Sequence, residues 1–305
     1  MISALPAVQM VVAGVIWFVA IWGRALTAEP FSSWLYFFGW WPLLLFLDGL
    51  LGRLTGRSLL WQRPWEFLRM AFFSVTVWLT FEVFNLWLLN WRYVGLEPNP
   101  WLRWPGYALA YATVLPGVLL TAEVLEAWGV GADLSGKPRP LGNWQPAFLL
   151  IGVALLVLPF LAPYYAFPLI WLGFIFLIDP LVDLMSGDSL TRRLAAGERQ
   201  RHLCLGLAGL LCGLWWELWN YPSLAKWIYT LPILNFGQIF EMPILGYLGF
   251  LPFALECAVM YEFLTLIDER LSGFPRLLFY LTQVAFWLVL FAALDLRTVL
   301  SFAPG

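Results

Sequence analysis

Three carboxylic acids, Glu217, Glu241 and Glu256, stand in one of the most apolar stretches of the chain, WWELWNYPSLAKWIYTLPILNFGQIFEMPILGYLGFLPFALECAVMYE, from Trp215 to Glu262. An ionised carboxylate in hydrocarbon is costly unless it is paired, hydrated or protonated, so an acid kept there has a job to do. The chemistry open to such a group is proton transfer, with a second carboxylate stabilising the positive charge that develops. Glu217 is followed three residues later by Asn220. Side chains at i and i+3 share a helix face, so Asn220 is placed to hold Glu217 in one rotamer. Glu241, in Phe240-Glu241-Met242-Pro243, reads as the first turn of a helix, where the dipole favours an acid and proline suits an early position. Glu256 lies about fifteen residues further on, near mid-membrane if that helix spans a bilayer. An acid so deep is expected to be neutral or paired.

The elements that position these acids follow from composition. The 305 residues are 62% hydrophobic and only 12% charged, which excludes an ordinary soluble domain. Apolar runs of roughly 20 residues, the length that crosses the hydrocarbon core, recur throughout. Nine spans are expected, over 8–28, 32–51, 66–90, 104–128, 145–165, 167–185, 199–221, 238–267 and 275–300. The fifth and sixth meet at the Pro163–Pro168 corner as a tight hairpin. The opening MISALP lacks a basic signal-peptide region, so the first span is read as retained. Loops after the second, fourth, sixth and eighth spans carry Arg53, Arg57, Arg63, Lys137, Arg139, Arg192, Arg193, Arg199, Arg201, Arg270 and Arg276. The opposite loops carry only Arg24, Arg92, Arg103 and Lys226. The positive-inside rule then puts the N-terminus in the cytoplasm and the C-terminus outside, in a bacterial inner membrane.

The chain also matches itself. Trp40, Asp48, Leu50, Gly56, Ser58 and Leu59 align with Trp171, Asp179, Leu181, Gly187, Ser189 and Leu190 without a gap. Glu82, Asn85, Trp91 and Tyr93 align with Glu217, Asn220, Trp227 and Tyr229 after one inserted residue. Tyr111, Leu115, Pro116, Leu119 and Glu126 align with Tyr247, Leu251, Pro252, Leu255 and Glu262 at one offset. Three blocks in the same order read as a duplication. The expected architecture is an all-α polytopic membrane protein: a four-helix unit over residues 1–130, a second over 131–270, and a C-terminal helix over 271–305. Units with an even number of spans have the same orientation, as parallel repeats about an axis along the membrane normal.

On this reading Glu82 and Glu217 face one another between the units and share a proton, or else Glu82, Asn85 and their counterparts bond across the bundle as packing glue. Glu241 and Glu256 have no acidic match, since Pro105 and Leu120 take their places; the second unit is therefore read as the active one. Asp48 and Asp179 suit helix termination, loop hydrogen bonds and pairing with nearby arginines, or a lipid head group. Asp295 has Arg297 close by, His202 falls in a basic loop, and the run LGLAGLLCG over 205–213 suits close helix packing.

Several classes drop out. A net charge of −2 without a basic stripe argues against nucleic acid. One histidine and three cysteines within apolar runs leave no metal ligand set, and no cofactor is expected. There is no nucleophile elbow, no phosphate-binding glycine loop and no mid-span lysine for a retinal Schiff base. Most of the 20 tryptophans, 25 phenylalanines and 11 tyrosines suit an interfacial belt; the remainder would line a cavity for a large apolar ligand.

Trp216-Glu217, the downstream aromatics Trp227 and Tyr229, and the run Glu241-Met242-Pro243-Ile244-Leu245 together resemble the small-type, membrane-integral lycopene cyclases, over about three spans per half. That family has an acid after a Trp late in one helix, an aromatic pair, and then Pro–x–Glu–Glu opening the next helix. Here Leu245-Gly246 replaces the Glu–Glu, and Glu241 lies before the proline instead. The resemblance implies a shared scaffold. It fits an enzyme acting by acid catalysis on a long isoprenoid, carotenoid-like or lipid substrate, with Glu217, Glu241, Glu256 and Asn220 catalytic. Trp216, Trp227, Tyr229, Tyr247, Glu82 and Asn85 would then bind substrate. A proton-coupled carrier between parallel repeats and an accessory subunit of a larger membrane complex stay open, as does a homo-oligomer.

Overall fold

A computed structural model describes residues 4–300. It is built from helices, with four short strands at one end. Eight segments are long and apolar enough to cross a membrane, as an integral membrane protein requires. Five of them are the single helices α1 (Leu5–Ala25), α2 (Leu35–Thr55), α4 (Pro64–Leu88), α11 (Gln200–Asn220) and α13 (Gly273–Arg297), and a sixth is the 3-10 turn Ile244–Gly249 running on into α12 (Phe250–Arg270). One is the pair α5 (Pro100–Tyr111) and α6 (Val114–Ala127), and one is the short α8 (Pro163–Ala166) running on into α9 (Ile170–Ser186). The fifth expected span is the shorter helix α7 (Gln145–Leu161), packed along α9. Its corner with α9 is α8 and one turn of 3-10 helix, as the prolines there require.

Sequence punctuation sets the boundaries. Prolines open α1, α4, α5 and α7, where a missing N–H costs nothing. The matched glycines Gly56 and Gly187 end α2 and α9 in the left-handed conformation, with φ of 73° and 72°. Two residues later the matched serines Ser58 and Ser189 cap the short helices α3 (Leu59–Gln62) and α10 (Leu190–Ala195), each accepting a backbone N–H three residues on. Asp48 and Asp179 complete both junctions. Asp48 accepts from the N–H groups of Leu59 and Leu60, and also from Ser58 Oγ and Gln9 Nε2. Asp179 accepts from the N–H groups of Leu190 and Thr191. Both aspartates are fully buried, and among the described residues neither pairs with an arginine; Arg192 goes to Asp183 instead.

Helix α1 lies on α2 and α7 on α9; α6 packs on α2 and α12 on α9. The halves interlock because α11 also packs on α6, and α4 on α12. The glycine run allows the closest contact: a Cβ at Gly209 would meet the Phe250 carbonyl, and one at Gly213 the Phe250 ring. Strands β1 (Trp91–Val94) and β2 (Lys226–Tyr229) pair antiparallel between the halves. Trp91 lies opposite Tyr229 and Tyr93 opposite Trp227, so each Trp faces the other strand's Tyr.

Two spans differ from expectation. The fourth is two helices, because Pro116 lacks an N–H and crowds the preceding turn; Ser74 Oγ bridges the break, donating to Tyr111 O and accepting from Leu115 N–H. The eighth does not start at residue 238. The run from Pro232 to Gly249 holds two prolines and three glycines, and forms β3 (Gln238–Ile239), β4 (Met242–Pro243) and a 3-10 turn before α12 opens at Phe250. Glu241 therefore lies in the β3–β4 turn and not in a helical first turn.

Replacing Asp48 by Ala strands donors from α1 and from the capped start of α3. It is expected to lower stability by about 2–3 kcal/mol, read as an earlier thermal midpoint in detergent. An unchanged midpoint would contradict the assigned role.

Candidate functional site

Glu82, six residues before the end of α4, and Glu217, in the last turn of α11, are both fully buried. Each is held by the strand that comes after its helix. Glu82 Oε1 accepts from Trp78 Nε1 at 3.1 Å, Trp91 Nε1 at 3.0 Å and the Tyr93 hydroxyl, and Oε2 accepts from Asn85 at 3.2 Å. Glu217 Oε1 accepts from Tyr229 OH at 2.7 Å and Trp227 Nε1 at 3.3 Å. The asparagines fix the strands. Asn85 donates to Trp91 O and accepts from Trp91 N–H; Asn220 does the same to Trp227, at 2.9 Å both ways. Pairing the strand's backbone with an amide in this way satisfies groups that would otherwise be stranded beside hydrocarbon.

The expected face-to-face acid pair is not what forms. No hydrogen bond joins Glu82 to Glu217 among the described residues; each carboxyl belongs to its own Trp–Tyr strand, because the strands lie between. Burial pushes the Tyr93 and Tyr229 phenols well above the ordinary tyrosine range, and the carboxyl charge beside each pushes further. Both phenols thus keep their protons and act as donors to the acids.

The same indole and phenol side chains that hold the acids also line a cavity of about 620 Å³. Its walls come from both halves: Trp78, Trp91, Tyr93 and Tyr111 from one, Trp171, Trp216, Trp227 and Tyr229 from the other, with Tyr36 and Phe253. The rings touch one another at centroid distances of 5.6–6.0 Å, as in Tyr36–Trp227, Trp216–Phe253 and Trp78–Tyr111. Tyr111 OH reaches Tyr93 OH at 3.3 Å, extending the Glu82 set along the wall. Charged groups appear only toward one end, where Glu29, Glu97, Arg103 and Lys226 line the cavity.

The structure thus brings together Trp216, Trp227 and Tyr229 as wall, with Glu217 and Asn220 directly behind. Glu82 and Asn85, expected to touch substrate, also sit behind the wall, because β1 covers them. Tyr247 is outside it, donating to Ile239 O at 3.0 Å. Glu241, half-buried in the β3–β4 turn, forms an ion pair with Lys226 at 2.5 Å, and its backbone and charge lie close enough to act on the Glu217 carboxyl. Glu256 is fully buried away from the wall, accepting from Phe174 N–H at 2.9 Å. Asp295 pairs with Arg103, Trp104 and Tyr107 and not with Arg297, whose guanidinium donates to Leu86 O. His202 contacts Leu190 O.

Sequence reasoning missed Trp78, Trp171, Tyr36 and Tyr111 as cavity wall. Trp171 and Tyr111 carried a signal in the repeat alignment. Trp78 carried one only in its i, i+4 spacing to Glu82. Lys226 as the partner of Glu241 had no sequence signal. The chain matches no protein-family model, no curated protein and no solved structure.

Asn220→Ala leaves the Trp227 N–H and C=O without partners and is expected to cost about 1–3 kcal/mol. Hydrogen exchange should show the loss as faster exchange at Trp227; wild-type protection there would contradict the clamp.

Proposed function

We propose that the chain is an integral membrane enzyme that takes a long apolar substrate, of isoprenoid, carotenoid-like or other lipid class, into the aromatic cavity and acts on it by carboxylic acid catalysis. The observation that carries this reading is the placement of two Glu–Tyr dyads, Glu217–Tyr229 and Glu82–Tyr93, with their phenols on one apolar cavity. A proton passes from the Glu217–Tyr229 dyad to an alkene carbon of the bound chain. The cation lies against indole and phenol faces, which attract it. Loss of a proton from the neighbouring carbon to the Glu82–Tyr93 dyad gives an isomerised alkene; where the π pair of a second alkene in the chain first adds to the cation and closes a ring, loss of a proton beside the new cation gives a cyclised one. One proton enters the substrate and one leaves, and the dyads have exchanged roles for the next turnover. Water, which would trap the cation, is kept out by the apolar walls.

The lycopene-cyclase likeness supports the same class, through Trp216-Glu217 and the aromatics Trp227 and Tyr229. Glu241 and Glu256 fall outside this mechanism, because neither reaches the wall.

In membranes supplied with candidate polyenes, Glu217→Gln and Tyr229→Phe are expected to lower turnover by at least about 100-fold, the usual worth of a positioned acid. Product analysis by chromatography gives the result. Wild-type turnover in both variants would remove the dyad from the chemistry.

A further inference from the structure

Tyr93 and Tyr111 are separated by eighteen residues, and so are their counterparts Tyr229 and Tyr247. The two connecting segments nevertheless differ in structure. In the first half the segment winds into helix α5, which α13 covers: Phe291 packs on Tyr107 at 5.4 Å, and Asp295 binds Arg103, Trp104 and Tyr107. In the second half the equal length of chain is an open strap with a short β-ladder and a 3-10 turn. Its inner side supplies Leu231, Met242 and Gly246 to the cavity wall. Its outer side exposes Leu234, Phe236, Ile239, Phe240 and Leu248, with Phe236 59% exposed. The one charged residue of the strap, Glu241, is turned onto Lys226.

A water-facing loop between two helices would be polar. This one continues an apolar surface instead. Leu211, Leu214 and Leu218 form an exposed row on α11, and Tyr221 above them meets Phe240 with ring centroids 5.7 Å apart. The row lies on a helix long and apolar enough to span a membrane, so its exposed face is a lipid face. The strap carries that face up to the cavity, and the two exposed amides within it, Asn235 and Gln238, bond to each other at 3.2 Å.

We propose that the strap between β2 and α12 lies in the lipid, and that an apolar chain passes from the bilayer into the cavity beneath it without crossing water. Lipid covers this face where α13 covers its counterpart. The Lys226–Glu241 pair ties the strap down at the charged end of the cavity. The inference deepens the proposed function by naming where the substrate comes from. Its test reads collision rates and not turnover, so an inactive protein with a lipid-immersed strap would separate the two.

Cys204, Cys212 and Cys257 are buried, so a nitroxide can be attached at one introduced cysteine. The full chain is placed in phosphatidylcholine nanodiscs with Phe236→Cys, with Ile239→Cys as the second strap position should the first not fold. Leu231→Cys reports the inner side, and Gly142→Cys, in the exposed loop before α7, is the aqueous control. Oxygen is expected to relax the label several-fold more than a water-soluble nickel chelate at 236, 239 and 231, with the order reversed at 142. Nickel-dominated relaxation on the strap would overturn the proposal, since the loop would then stand in water. Spin–spin broadening at 236 that survives dilution with lipid would also overturn it, since a second copy of the chain would then cover the face.

Discussion

The structure depends on how two carboxyl groups are tolerated within an apolar bundle. Among the described residues neither Glu82 nor Glu217 has a cation as a hydrogen-bond partner; each is met by an indole N–H and a phenol from the strand after its own helix. Those donors reach the acid only because Asn85 and Asn220, one helical turn along, clamp the strand's backbone. Pairing β1 with β2 then fixes both sets at once and brings the two halves together. The same Trp and Tyr side chains also line the cavity. Acid, phenol and apolar space are thereby aligned in sequence, and the acids stay out of contact with bulk water. A merely structural pair of buried acids would be satisfied equally well by partners that face away from any cavity.

The halves are alike where they anchor and unlike in the segments beyond the two strands. The Asp–Gly–x–Ser junctions at Asp48 and Asp179 are built the same way, and so are the two Glu–Asn–Trp–Tyr sets. The segments beyond the two strands diverge. Residues 95–111 gain a helix covered by α13, whereas residues 230–247 form a short ladder and a 3-10 turn. Glu82 has donors on both oxygens, while Glu217 Oε2 has none among the described residues.

Much of this was legible in the sequence, and the failures have physical causes. Span positions were readable because hydrocarbon thickness imposes a length on any apolar helix. The grouping of Glu217 with Asn220, Trp227 and Tyr229 was readable because local spacing and internal repetition both carry it. Glu241 was misplaced because acid before proline is a helix-start signal only where the next residues can wind, and Gly246 and Gly249 hold that turn to 3-10 geometry. The partners of Asp295 and Glu241 lie far away in sequence, so proximity along the chain pointed to Arg297 and missed Arg103 and Lys226. That β1 and β2 pair was invisible, since strands of four residues leave no periodic trace.

The most direct measurement is a mass spectrum of the organic extract of the purified protein, compared with that of an Ala110→Trp variant whose side chain would fill the cavity. The account predicts one long apolar molecule, near one per chain in the wild type and lost in the variant. Bulk bilayer lipid alone, in the same proportion from both proteins, would contradict it.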